Sequence, residues 1–349
     1  MLYLVRYIRL TPALLFVMMV TTWMLPELFM GPLWHSGQPW DTFESGCWEN
    51  WWTNILYINN IVHIDHTCIG WAWYLANDMQ FFIIGVPIVY VLYRCWYAGL
   101  AIKLLLLVAN FVATAVVVAE YDVRADFFLT DVQHRQKRHD DIYKHYYIKP
   151  WVRIGPYLIG MFVGWVLYKT RGMRADINCD KRMILGLVSF GWCTAIASAL
   201  AVVYGMYGVY NGTVLSYSAN MVFMTVHRTV WAMAVGWMVV ACHHGFGGIV
   251  NTVLSWNFWI PLSRLTYSAY LIHPIVIFLT YHTAEATLHL TTLNMIHFFL
   301  GHLVLSYGLS VLVFVSVELP TMSLMKIATS TGHSDQTNQP RSSDYKRLP

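Results

Sequence analysis

The residues of this chain best suited to chemistry lie inside its apolar stretches rather than between them. Asn77, Asp78 and Gln80 fall in the first third of the apolar run 71–93. A carboxylate in the middle of a bilayer costs roughly 2.5–3.5 kcal/mol, so Asp78 is expected to face protein or a wet cavity, or to sit near the headgroups at the start of its run. His227 and Arg228 stand at a similar depth in the run 221–242. An arginine there snorkels, pairs with an acid or lines a cavity, and a pair with Asp78 is geometrically open. A third constellation runs from Ser263 to Pro274. At helical spacing Thr266, Tyr270 and His273 share one face with Tyr267 beside them, and Pro274 is expected to kink the helix just after His273. Hydroxyls and an imidazole so placed either donate to an anionic or carbonyl ligand or bond to neighbouring helices.

Other patterns carry less. His63-x-Asp65-His66 has the look of a metal cluster but no obvious fourth ligand, so no metal is expected. His243-His244 reads as an ordinary interfacial pair. No phosphate-binding loop, Gly-x-Ser-x-Gly or His-Glu-x-x-His motif occurs. Nor does any span hold a His with an acid one helical turn later, an arrangement that would pair a base with its orienting group. No basic tract with interleaved aromatics lies outside the apolar runs, so nucleic acid is not expected as a partner.

The elements that must position these residues follow from hydropathy. Of 349 residues, 57% are hydrophobic and 11% charged, with a mean hydropathy of +0.49, against about 25% charged in soluble domains. The fold class is all-α: a polytopic transmembrane bundle of eight helices, expected over 8–25, 71–93, 98–119, 151–168, 183–207, 221–242, 263–283 and 295–317. A secretory signal peptide at the start is the weaker reading, because no small-residue cleavage site follows. A polar, Trp-rich loop is expected over 26–70, a single membrane domain over 1–325, and a disordered tail over 326–349. Gly160-x-x-x-Gly164 suggests a close helix contact.

Lys and Arg placement favours both termini inside. That choice puts Arg6, Arg9, Arg94, Lys103, Arg174 and Arg264 on the inner side, while the one basic outer loop, 120–150, with Arg135, Lys137 and Arg138, balances its cations with acids. It also places the sequon Asn211-Gly212-Thr213 outside, and Cys47 and Cys68 on the oxidising side, where a disulfide can form. Cys95 and Cys179 fall on the reducing side. These features imply a multi-pass protein of the secretory pathway, in the endoplasmic reticulum or plasma membrane.

Trp73-Tyr-Leu-Ala-Asn-Asp-Met-Gln-Phe-Phe82, Arg6-Tyr-Ile-Arg9-Leu-Thr-Pro12 and Leu265-Thr-Tyr-Ser-Ala-Tyr-Leu-Ile-His-Pro274 together resemble signatures of the acyltransferase 3 family of membrane proteins. Cys47-Trp48, Asn54-Ile-Leu-Tyr-Ile-Asn-Asn60, Cys68 and Lys149-Pro-Trp-Val-Arg-Ile-Gly-Pro-Tyr-Leu-Ile-Gly160 are similar to its animal "nose resistant to fluoxetine" branch. The resemblance implies transfer of an acyl group from acyl-CoA, as co-substrate, to a hydroxyl of a lipid or sugar, with no bound cofactor. It implies catalytic roles for Asp78 and His273, and substrate contacts for Arg6, Arg9, Arg228, Tyr267 and Tyr270, with Arg6 and Arg9 meeting the donor at the cytoplasmic side. Membrane lipids are the expected partners; the oligomeric state is open. The chain begins at what resembles the family's second helix, which implies an N-terminally truncated copy without the helix that carries the family's proposed catalytic His. A non-catalytic module that transports lipids or small lipophiles is the alternative reading.

Overall fold

In lipid every backbone N–H and C=O must be satisfied within the chain, and the apolar runs meet that demand as helices. The computed structural model describes residues 1–28, 39–125, 141–171, 181–213, 215–286, 288–289 and 291–331. Arg135, Lys137, Arg138, Arg174, Cys179 and tail residues 332–349 lie outside the described residues. Among the described residues, eight helical stretches are long and apolar enough to cross a membrane, from Leu2–Glu27 to Thr292–Ala328. Each expected span has its counterpart, and the protein is an all-α, multi-pass membrane protein.

The chain divides into two compact units: Trp52–Trp259, and Met1–Trp51 with Ile260–Pro349. The first of these, the central unit, holds α3 (Trp73–Arg94), α4 (Trp96–Glu120), α5 (Pro150–Lys169), α6 (Lys181–Tyr204) and α7 (Tyr217–His243). Helix α7 packs on α4, α5 and α6, and α5 also packs on α3 and α4, so α5 and α7 are its middle. The terminal unit holds α1 (Leu2–Met19), α8 (Trp259–His282), α9 (Thr292–Val313) and α10 (Leu319–Thr331). Helix α2 (Pro39–Ile55) crosses the division and breaks at Asn50, φ −123°. The stretch read as polar loop is therefore helical over 39–55, where no proline follows Pro39 to interrupt it.

Three other differences from the sequence reading have local causes. Helix α1 begins at Leu2 rather than Ile8, since residues 2–7 are as apolar as those that follow. Helix α10 runs to Thr331, because the Met, Leu, Ile and Ala residues after Pro320 are apolar and carry no breaker. A side chain at Gly160 or Gly164 would meet nothing within 4 Å, so neither glycine marks a close helix contact. The close approach lies at Gly155, where an added Cβ would stand 2.6 Å from Asn110 Oδ1 of α4 and 2.7 Å from Thr229 Oγ1 of α7. Leu104, Leu105, Val108, Val112 and Val116 form an exposed stripe on α4, as suits a lipid-facing helix.

Candidate functional site

A buried polar network fixes the start of α3 against the start of α5. Asn60 Nδ2 donates to Asn77 Oδ1 at 2.8 Å and to Gln80 Oε1 at 3.2 Å. Gln80 Nε2 returns a bond to Asn60 Oδ1 and donates to the Tyr57 carbonyl, both at 2.8 Å. Asn77 Nδ2 donates to the Ile148 carbonyl at 3.0 Å, and the Lys149 ammonium donates to the Asn60 carbonyl at 3.1 Å. Pro150 then opens α5, where its missing N–H costs nothing. Of the polar trio read in the sequence, Asn77 and Gln80 thus hold the frame. Asp78, the residue between them, faces a cavity.

That cavity, about 770 Å³, is lined by the first halves of α3 and α5, the middle of α7 and Val202 near the end of α6. Asp78, Arg153, His227 and Arg228 reach it among Trp73, Phe81, Tyr157, Met161 and Trp231. A site of this size, mostly apolar with a few convergent polar groups, has the make-up of a ligand cavity. The Arg228 guanidinium lies 4.3 Å from the Tyr146 ring centre and donates to the Val152 carbonyl at 3.5 Å. The Arg153 guanidinium lies 4.6 Å from the Trp73 ring centre and 4.5 Å from that of Tyr147, with Nε donating to the Tyr147 carbonyl at 2.7 Å. A π-helical turn, Tyr143–Tyr147, brings both tyrosines there. Asp78 and Arg228 therefore share a cavity, as their common depth suggested, while Arg228 takes Tyr146 and the Val152 carbonyl as its direct contacts.

The terminal unit has a second cavity of about 350 Å³, between α8 and α9. Thr266, Tyr270 and His273 line it together, as their helical spacing predicts, and α9 adds His302, Ser306 and Tyr307. Tyr267 points elsewhere and donates to the Leu10 carbonyl of α1 at 2.6 Å. Helix α8 continues through Pro274. Proline has no N–H for the carbonyl four residues back, which is that of Tyr270. His273 Nδ1 lies 2.8 Å from that oxygen. A carbonyl only accepts, so Nδ1 carries a proton toward it, and Nε2 is the ring nitrogen left for another partner. The Ser306 hydroxyl is buried without a partner among the described residues. Nearby in this unit, buried Glu318 accepts from Ser268 Oγ at 2.9 Å and lies within electrostatic reach of Arg9. Arg6, half-buried, and Arg9, exposed, stand one turn apart on α1.

Outside both cavities, Cys47 and Cys68 are disulfide-bonded. Asp65 forms an ion pair with Lys144, and His63 packs edge-on against Trp52, so these residues read as part of the protein surface. Asn211 is exposed in a turn completed by Gly212 at φ +86°. His244 Nε2 and Thr170 Oγ1 lie 3.1 Å apart, tying the ends of α7 and α5.

Over 327 residues, 92% of its length, the chain is 30% identical to the "Nose resistant to fluoxetine protein 6" of Caenorhabditis elegans. It is 24% identical over 222 residues to the "Regulator of hypoxia-inducible factor 1" of the same organism. The chain is homologous to these two members of the acyltransferase 3 family. It spans 39% and 42% of the length of these two relatives, so what either does as a whole protein is not carried over with the match. No protein-family model matches the chain, and no solved structure does.

Within this acyltransferase 3 relative, the two residues marked for catalysis, Asp78 and His273, belong to different units. The sequence reading also passed over residues that the geometry brings forward. In the sequence Arg153 figures only within the stretch Lys149–Gly160 that carries the family resemblance, with no role of its own. Its signal was its position, at the same end of its span as Asp78 and Arg228 in theirs. Tyr146 and Tyr147 lay in a stretch read as loop. Glu318 had a plainer signal, an acid directly at the end of the last apolar run, 295–317.

Proposed function

We propose that this chain acts in membrane O-acyl transfer, moving an acyl group from acyl-CoA to a hydroxyl of a lipid or sugar acceptor. The observation that carries this reading is His273, which lines the smaller cavity and whose Nδ1 lies 2.8 Å from a carbonyl that Pro274 leaves open, so that Nε2 is the nitrogen left to take a hydroxyl proton there. The buried Ser306 hydroxyl in the same cavity is a ready donor to an acyl carbonyl. Asp78 and Arg228 serve substrate binding in the larger cavity, and Arg6 and Arg9 meet the donor at the cytoplasmic side. The test is transfer of labelled acyl from acyl-CoA in vesicles holding the purified chain. His273→Ala is expected to lower the rate by about 10²–10⁴-fold, the usual size of general base catalysis. Wild-type rates in both His273→Ala and Asp78→Asn would overturn the assignment.

A second reading, passage of a lipophile without chemistry, is favoured by the mostly apolar lining of the larger cavity. Flux of a lipophilic probe into the same vesicles without acyl-CoA consumption would select it.

The same proposal includes an N-in, C-in orientation in a membrane of the secretory pathway, with Asn211 outside and glycosylated. Endoglycosidase treatment of protein from animal cells should raise its gel mobility, and Asn211→Gln should abolish that change. An unmodified Asn211 in the wild type would contradict the orientation.

A further inference from the structure

The larger cavity carries an imbalance of charge that its own residues do not cancel. Two guanidiniums, those of Arg153 and Arg228, reach it against the one carboxylate of Asp78. An arginine has five N–H donors. Arg153 spends one on the Tyr147 carbonyl, and Arg228 one, at a long 3.5 Å, on the Val152 carbonyl. Both cations lie on membrane-spanning helices, where an uncompensated charge is expensive. Both guanidiniums also lie against aromatic rings, Arg153 at 4.6 and 4.5 Å and Arg228 at 4.3 Å from the ring centres. Such a contact uses none of the N–H donors through which arginine grips a carboxylate or phosphate with two parallel bonds. The rest of the lining is largely apolar and includes Phe81, Met161, Val202, Trp231 and Ala232.

We propose that this cavity binds an amphiphile with an anionic oxyanion head, its carboxylate or phosphate held between Arg153 and Arg228 and its acyl chain against the apolar walls. Asp78 repels a second negative charge and accepts from a hydroxyl close to the head. The inference rests on the proposed acyl-transfer reading only for the use made of that hydroxyl; the preference for an anion stands on the arginines alone.

The full chain in detergent micelles, with no acyl-CoA present, is titrated with oleate, oleoyl lysophosphatidate, monooleoylglycerol and inorganic phosphate, and binding is read from tryptophan fluorescence. Oleate and lysophosphatidate are expected to bind about tenfold or more tightly than the neutral monooleoylglycerol, the size of a charge-assisted hydrogen bond. Whichever of the two binds more tightly identifies the head as carboxylate or phosphate. Arg153→Gln and Arg228→Gln should each remove most of the preference, while Arg228→Lys, which keeps the charge and loses the fork, should retain part of it. An unchanged melting temperature shows that each variant is folded. Equal binding of the neutral lipid, a preference that survives in the Arg153→Gln/Arg228→Gln double variant, or inorganic phosphate competing as well as lysophosphatidate would each overturn the proposal. A chain that prefers anions but transfers no acyl group would retain this inference and lose the acyl-transfer reading. One that acylates acceptors without charge preference would do the reverse.

Discussion

Gly155→Val is expected to unfold the central unit or leave it severely destabilised. A Cβ alone would stand 2.6 Å from Asn110 Oδ1 and 2.7 Å from Thr229 Oγ1, closer than van der Waals contact allows, and two γ-methyls would be added to it. Neither neighbour is free to retreat. Asn110 Nδ2 donates to the Trp151 carbonyl of α5 at 2.6 Å, and Thr229 is buried on α7. Overpacking a well-filled core costs about 1–3 kcal/mol. The upper end or beyond applies where three helices meet on one glycine. The check is the thermal midpoint of purified protein in detergent, followed by tryptophan fluorescence, with Gly155→Ala as a smaller step in the same direction. A Gly155→Val protein as stable as wild type would mean that α4, α5 and α7 do not converge there.

The spans were legible because bilayer thickness and backbone satisfaction leave long apolar runs little other option. Depth within a span was legible too, which is why Asp78 and Arg228 could be placed on one level before their shared cavity was known. Glycine spacing was a poor guide. Gly160 and Gly164 carry the small-xxx-small pattern, yet a Cβ at either would meet nothing within 4 Å, whereas Gly155, outside it, sits at the three-helix contact. The pattern records small residues, and it takes the azimuth of the helix to say what they face. Aromatic partners were hidden for a related reason. Tyr146 and Tyr147 are next to each other in sequence, yet each lies against an arginine of a different helix, from a π-helical turn in an apparent loop. The α8 constellation was half legible. Helical spacing put Thr266, Tyr270 and His273 on one cavity, but only the structure shows Tyr267 committed to the Leu10 carbonyl.

Gly160→Trp, five residues along the same helix, should behave in the opposite way from Gly155→Val. Gly160 lines the larger cavity, and a Cβ there meets nothing within 4 Å. An indole at this position projects into space now open, and replacing a helical glycine by tryptophan recovers roughly 0.2–0.5 kcal/mol of helix propensity, part of the glycine–alanine difference. The variant is therefore expected to fold with a thermal midpoint at or slightly above wild type. It is also expected to lose at least about tenfold in affinity for any amphiphile held there, since a large ring removes much of a cavity of ordinary ligand size. A loss of folding would show that α5 is packed on this face as well. Retained affinity in a folded variant would show that the ligand sits elsewhere.

The central claim is that the space among α3, α5, α6 and α7 is a lipid-binding site rather than a gap in packing. Photolabelling tests it most directly: a diazirine-bearing oleate is irradiated with the full chain in vesicles, and the modified residues are mapped by mass spectrometry. The account predicts adducts concentrated on cavity residues such as Tyr157, Met161 and Trp231, competed by unlabelled oleate and absent in Gly160→Trp. Adducts confined to the exposed α4 stripe from Leu104 to Val116, unchanged by competitor or by Gly160→Trp, would contradict it.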